Sequence, residues 1–123
     1  MKLLKIGIVI ASFLSIFFLV SCDKKEKEQE LWSVKMAKSE MTRFPELWMI
    51  ENAKKPRWTY TFGLVAKSML ELTRHTGDSA YFYYTKNYAD SLINSFGQIK
   101  TYEKESYNID NISPGKILFD LYA

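Results

Sequence analysis

Asp110 poses the first chemical question of this chain. It stands in Tyr107-Asn108-Ile109-Asp110-Asn111-Ile112-Ser113-Pro114-Gly115-Lys116. Ile109 and Ile112 flank it, and Ser113-Pro114-Gly115 reads as a helix start. A carboxylate in that place has two uses. It caps the helix or its loop by accepting from backbone N–H groups, or it points into a cleft as an acid, a base or a ligand contact. The local pattern leaves both open.

A second stretch to account for is Trp58-Thr59-Tyr60-Thr61-Phe62-Gly63. Aromatics at i and i+2 do not share a helix face, so Trp58 and Tyr60 serve different neighbours. Tyr and Trp pair an apolar ring with a polar edge, which suits the faces of sugars. Gly63 inside a helix costs about 1 kcal/mol against Ala. It calls for a reason, either the close approach of another helix or ligand, or simple core packing.

Other chemistries find little support. His75 is the only histidine. It falls at a helix C-terminus, where the dipole favours a cation, and no Ser-His-Asp arrangement can be built around it. Cys22 is the only cysteine, so an exported domain must hold together by its core, and no second thiol serves a metal or a nucleophile. No Walker loop, dinucleotide fingerprint or metal-ligand cluster occurs.

These residues need elements to position them, and the mature chain reads as helices throughout. Residues 31–43 carry Val34, Ala37 and Met41 at helical spacing, and Phe44-Pro45 ends that helix. Residues 46–57 are irregular, with Leu47, Trp48 and Ile50 as packing residues. Residues 58–75 form a second helix, with Phe62, Val65, Ala66, Met69 and Leu72 on one face. Tyr60, Leu64 and Leu70 add apolar surface elsewhere, so it is expected to be buried on more than one side.

Gly77 is placed to cap that helix, and Asp78 or Ser79 to start the next. The third helix, residues 79–95, has one stripe of Phe82, Ala89, Ile93 and Phe96. An adjoining stripe is Tyr81, Tyr84, Tyr88 and Leu92, and Gly97 closes the helix. The short turn makes the second and third helices an antiparallel hairpin. Residues 98–112 form a linker with a brief extended piece at 99–102. Ser113 then caps a fourth helix, with Pro114 in its first turn and an apolar face of Ile117, Leu118, Leu121 and Tyr122. No 34- or 40-residue self-similarity supports a repeat array.

The N-terminus gives the address. Lys2 and Lys5 precede an apolar run from Ile6 to Val20, shorter than the ~20 residues that span a bilayer. Leu19-Val20-Ser21-Cys22 resembles the bacterial lipobox. The resemblance implies cleavage before Cys22 and acyl chains on it, each buried methylene adding roughly 0.8 kcal/mol of membrane affinity. The alternative is an uncleaved membrane helix with an incidental cysteine. Residues 23–30, DKKEKEQE, are charged and mixed in sign, which suits a solvated tether.

The expected organisation is a signal peptide over 1–21, a tether over 22–30 and a helical domain over 31–123. The protein is then a lipoprotein on the periplasmic or cell-surface side of a bacterial membrane. Loss of Lys2 and Lys5 with the leader lowers the formal charge from +3 to +1, which is no footprint for nucleic acid.

The blocks together resemble a family. Lys55 to Gly63 is similar to the W-x-Y-x-x-G segment of the unsaturated uronyl hydrolases, glycoside hydrolase family 88 and, more closely, family 105, the unsaturated rhamnogalacturonyl hydrolases. Thr76-Gly77-Asp78 with Tyr81 and Tyr84 looks like the turn and helix that follow. Tyr107 to Lys116 is similar to the family's Y-N-x-D-x-I-x-P-G-K block. Order and spacing agree over residues 31–123.

The resemblance implies an all-α fold, an (α/α)6 barrel of six helical hairpins with the site at one end. It implies a substrate left by polysaccharide lyases, an oligosaccharide with a 4,5-unsaturated uronic acid at its non-reducing end. An Asp protonates the vinyl ether and activates water, and the hemiketal opens to release the sugar. No metal or organic cofactor takes part. The scheme departs from the two-carboxylate one of ordinary glycosidases, since it requires only a proton donor that can switch to base.

Residue by residue, Asp110 matches an active-site Asp and is the expected catalytic residue. Tyr60 matches a pocket aromatic, Asn108 flanks Asp110, and Trp58 and Gly63 pack around the site. Tyr60, Asn108 and Trp58 make up the expected substrate-binding set. The family's main acid/base is a second Asp further along, expected past Ala123. About four helices do not close a ring of twelve, so the chain reads as the N-terminal piece of such a domain. Made alone, it is expected to be inactive or poorly folded. The competing readings are a non-catalytic helical lipoprotein that binds glycans or protein partners, and a purely structural anchor.

Overall fold

A computed structural model describes residues 30–122. The apolar leader, Cys22 and most of the charged tether lie outside the described residues. Among the described residues there are four α-helices: α1 (Trp32–Arg43), α2 (Tyr60–Thr76), α3 (Ser79–Leu92) and α4 (Lys116–Leu121). Three-residue 3₁₀ turns at Lys104–Ser106, Ile109–Asn111 and Ser113–Gly115 lead into α4. The only pairing of extended backbone among the described residues is an isolated antiparallel bridge, Ile93 to Ile99. The fold class is all-α, the fragment of helical hairpins expected of an (α/α)6 fold.

α2 and α3 form the expected hairpin, and its turn follows from sequence. Gly77 adopts φ 72°, a left-handed conformation cheap only for glycine, and its N–H donates to the Thr73 carbonyl. Asp78 then accepts from the Ala80 N–H at 2.9 Å and caps α3. The core lies between the two helices. Phe62, Ala66, Met69 and Leu70 of α2 meet Tyr84, Tyr88, Ala89 and Leu92 of α3, with Ile117 of α4 and Leu47 closing the ends.

The structure moves several expected features. α2 starts at Tyr60 rather than at Trp58, so Trp58 sits in extended backbone before the Thr59 cap. α3 stops at Leu92, and its core stripe is the tyrosine one: Tyr81, Tyr84 and Tyr88 are buried while Phe96 is 86% exposed. Two residues of that stripe carry a hydroxyl that finds a partner, so burial costs them little. Tyr84 donates to the Phe44 carbonyl and Tyr88 to the Arg57 carbonyl, each at 2.8 Å. Buried Thr85 donates to the Ala66 carbonyl. Burial pushes the Tyr84 hydroxyl up to about 12 and raises that of Tyr88 as well.

α4 is entered through a 3₁₀ turn, and the Ser113 side chain caps nothing. Tyr122 is exposed rather than part of the apolar face. Leu64 also faces out, so α2 is covered on fewer sides than its pattern suggested. α4 is held by the burial of Ile117 and Leu121 and also by charge. Asp120 accepts from Lys67 at 2.6 Å and from Arg74, and Lys67 also pairs with Glu71 at 2.9 Å.

Candidate active site

Tyr60, Ile109, Asp110, Ile112, Ser113 and Lys116 line one cavity of about 450 Å³. Two distant stretches of sequence, the start of α2 and the loop before α4, supply it. Their meeting depends on Gly63. A Cβ there would lie 2.6 Å from the Pro114 Cα and 2.8 Å from the Pro114 Cβ. The glycine therefore lets the Ser113–Gly115 turn seat directly on α2, one helical turn from Tyr60. Close approach of another element, rather than plain core packing, is the reason for Gly63.

Asp110 takes the cleft-facing role. The side chain that caps its 3₁₀ turn is that of Asn108, whose Oδ1 accepts from the Asp110 N–H at 3.0 Å. No side chain caps the Ser113–Gly115 turn or α4. The Asp110 carboxylate forms no ion pair or hydrogen bond among the described residues and is exposed to the cavity. Ile109 and Ile112 are 76% and 61% exposed. They are cavity walls, which is why apolar residues flank a carboxylate here.

Of the other expected site residues, Tyr60 lies in the cavity with Asp110, half-exposed at 46%. Asn108 acts through its turn-setting hydrogen bond. Trp58 is 2% exposed, so its ring reaches no ligand in this structure. It stacks on Tyr88 at 6.2 Å with the planes 6° apart, and its Nε1–H donates to the Asn111 carbonyl at 2.9 Å. Trp58 thus supports the loop from beneath. Lys116 and Ser113 were not singled out from sequence, although both stand in the quoted block a few residues past Asp110. An ammonium, a hydroxyl, a carboxylate and an aromatic ring now share one cavity.

A larger groove, about 520 Å³, runs between α1 and α2 past Met36, Leu64, Val65, Met69 and Leu72. Its walls are mainly apolar helix faces, and its acids Glu40 and Glu71 are tied to Arg43 and to Lys67 and Arg74. The smaller cavity, where the unpaired carboxylate converges with other polar groups, is the better site for chemistry. Among the described residues no group of three His, Cys, Asp or Glu is placed to hold a metal. No helix there is long and apolar enough to cross a membrane.

The cavity brings a tyrosine and an aspartate together on a helical scaffold. The sequence profile of Glycosyl Hydrolase Family 88 matches residues 32–123. The chain belongs to that family, and with it to the glycoside hydrolases. No solved structure matches the chain.

Proposed function

We propose that this cavity takes the non-reducing end of a lyase-generated oligosaccharide, a 4,5-unsaturated uronic acid such as caps rhamnogalacturonan fragments. The observation that carries the reading is the meeting of Tyr60 and Asp110 in one cavity. Tyr60 offers its ring face to the sugar. Lys116 offers an ammonium to the uronate carboxylate. It forms no ion pair among the described residues.

The chemistry needs one group that gives a proton and takes one back; we assign that cycle to Asp110, in place of the second Asp further along that the resemblance implied. In a vinyl ether the carbon remote from the ring oxygen is the basic one. A proton from Asp110 adds there, and the neighbouring carbon becomes electrophilic. Water adds to that carbon and returns its proton to the Asp110 carboxylate. The product is a hemiketal, which opens at its bond to the ring oxygen and leaves a hemiacetal at the anomeric carbon; that hemiacetal collapses to an aldehyde, its bond to the remaining sugar breaks, and the hydroxyl proton passes to the leaving oxygen. Atoms balance with one water consumed. The exposed Asp110, open to solvent at one end of the cavity, has the access this cycle requires.

The unsaturated bond absorbs in the ultraviolet, so its hydration is read as loss of absorbance. Asp110→Asn is expected to slow that loss by about 10²–10⁴-fold, the scale of general acid–base catalysis. Turnover that survives the substitution contradicts the role of Asp110. Retained sugar binding with no turnover in either form would leave this chain a glycan-binding unit. We further propose that Cys22 carries the lipid anchor and fixes the protein at a bacterial membrane, on its periplasmic or outer face.

A further inference from the structure

We propose that Thr101 is a positioning residue for Asp110, acting through Trp58. The inference rests on the reading of Asp110 as the working carboxylate. The segment from Tyr102 to Asp110 is exposed at every residue. Neither of its 3₁₀ turns buries a side chain. Its own packing therefore does not fix where Asp110 stands, and the anchors at its two ends must.

Both anchors are on one residue. At the near end the Trp58 backbone N–H donates to Thr101 Oγ1 at 2.9 Å. At the far end the Trp58 indole N–H donates to the carbonyl of Asn111, the neighbour of Asp110, at 2.9 Å. Trp58 itself cannot shift. It is buried against Tyr88, whose hydroxyl holds the carbonyl of Arg57. The loop is thus closed across a rigid indole, with Asp110 one residue from the clamp.

Thr101 is an unexpected occupant of its place. Its φ is 66°, in the left-handed region that β-branched residues rarely enter. Glycine or asparagine would take that conformation more cheaply. Glycine, however, has no side-chain acceptor for the Trp58 N–H. Backbone strain of this kind is kept where a side chain must be delivered to one spot. Here the delivered group is the hydroxyl.

The test compares Thr101→Val, Thr101→Gly and Thr101→Ser in the full chain. Val keeps the shape and loses the acceptor. Gly removes the strain as well as the hydroxyl, and is the variant expected to fold without difficulty. Ser keeps the hydroxyl. The readouts are the Asp110 amide and carboxyl resonances, hydrogen exchange of the Trp58 indole N–H, and affinity for an unsaturated disaccharide. Val and Gly are expected to shift the Asp110 resonances and speed indole exchange. Affinity should fall about tenfold on loss of this anchor, with resonances of α3 unmoved and Ser restoring wild-type values.

Wild-type Asp110 resonances and indole exchange in the Gly variant would overturn the proposal, as would failure of Ser to restore them. Shifts spread equally over α3 would also overturn it, because Thr101 would then be a general stability residue. If the wild-type chain binds no disaccharide, the substrate reading fails, while the resonances still decide whether Thr101 places Asp110.

Discussion

At the scale of single residues, the site separates groups that touch a ligand from groups that hold them. Tyr60, Asp110 and Lys116 face the cavity, whereas Asn108 and Trp58 set the backbone around Asp110. Lys116→Gln removes the one ammonium in the cavity. It is expected to weaken binding of an unsaturated uronide by about twofold to fivefold, the scale of an exposed ion pair. Binding of a neutral disaccharide should hardly change. Calorimetry with the two sugars checks this, and equal losses would contradict a carboxylate contact. Asp110 was legible as a candidate because its neighbours made it anomalous. The burial of Trp58 was not legible. Its pattern is that of any aromatic at a helix start, and only the distant Asn111 carbonyl and Tyr88 ring decide where it goes.

At the scale of elements, two contacts tie the site loop to α2. Gly63→Ala places a methyl group against Pro114. Overpacking of this sort costs about 1–3 kcal/mol, more than the ~1 kcal/mol that Ala brings to a helix. The melting temperature should therefore fall, and the Tyr60 and Asp110 resonances should move; an unchanged or higher melting temperature would contradict the close approach. The other contact is the pairing of Asp120 with Lys67 and Arg74. The Lys67 hydrogen bond, then that of Arg74, holds the Asp120 carboxyl below the ordinary carboxylate range. A folded-state value below the unfolded one gives stability that is complete above about pH 4. That stability is lost as pH falls through the folded value. Thermal melts on acidification should thus fall more steeply in the wild type than in Asp120→Asn, and parallel curves would contradict the pairing. The hairpin and its Gly77-Asp78 turn were readable because capping is local. The choice of the tyrosine stripe on α3 was not, because it depends on the carbonyls of Phe44 and Arg57, which the sequence of α3 does not contain.

At the scale of the whole molecule, a helical domain of a glycoside hydrolase family follows an apolar N-terminal run, the single cysteine and a charged stretch of sequence. The domain leaves Trp32, Met36 and Leu64 exposed along α1 and α2, a face whose cover no local periodicity could reveal. The proposed anchor has a direct check. A fatty-acid label supplied to expressing bacteria should appear on the chain and vanish in Cys22→Ser; label retained in that variant would contradict lipidation at Cys22. Whether the cavity between α2 and the loop before α4 takes the sugar can be read residue by residue. The chain is titrated by nuclear magnetic resonance with an unsaturated disaccharide and, separately, with its saturated counterpart. The account predicts that the unsaturated sugar moves the amide resonances of Tyr60, Asp110 and Lys116 together, and that the saturated one moves them less at equal concentration. No shift at these residues, or shifts confined to the groove between α1 and α2, would contradict it.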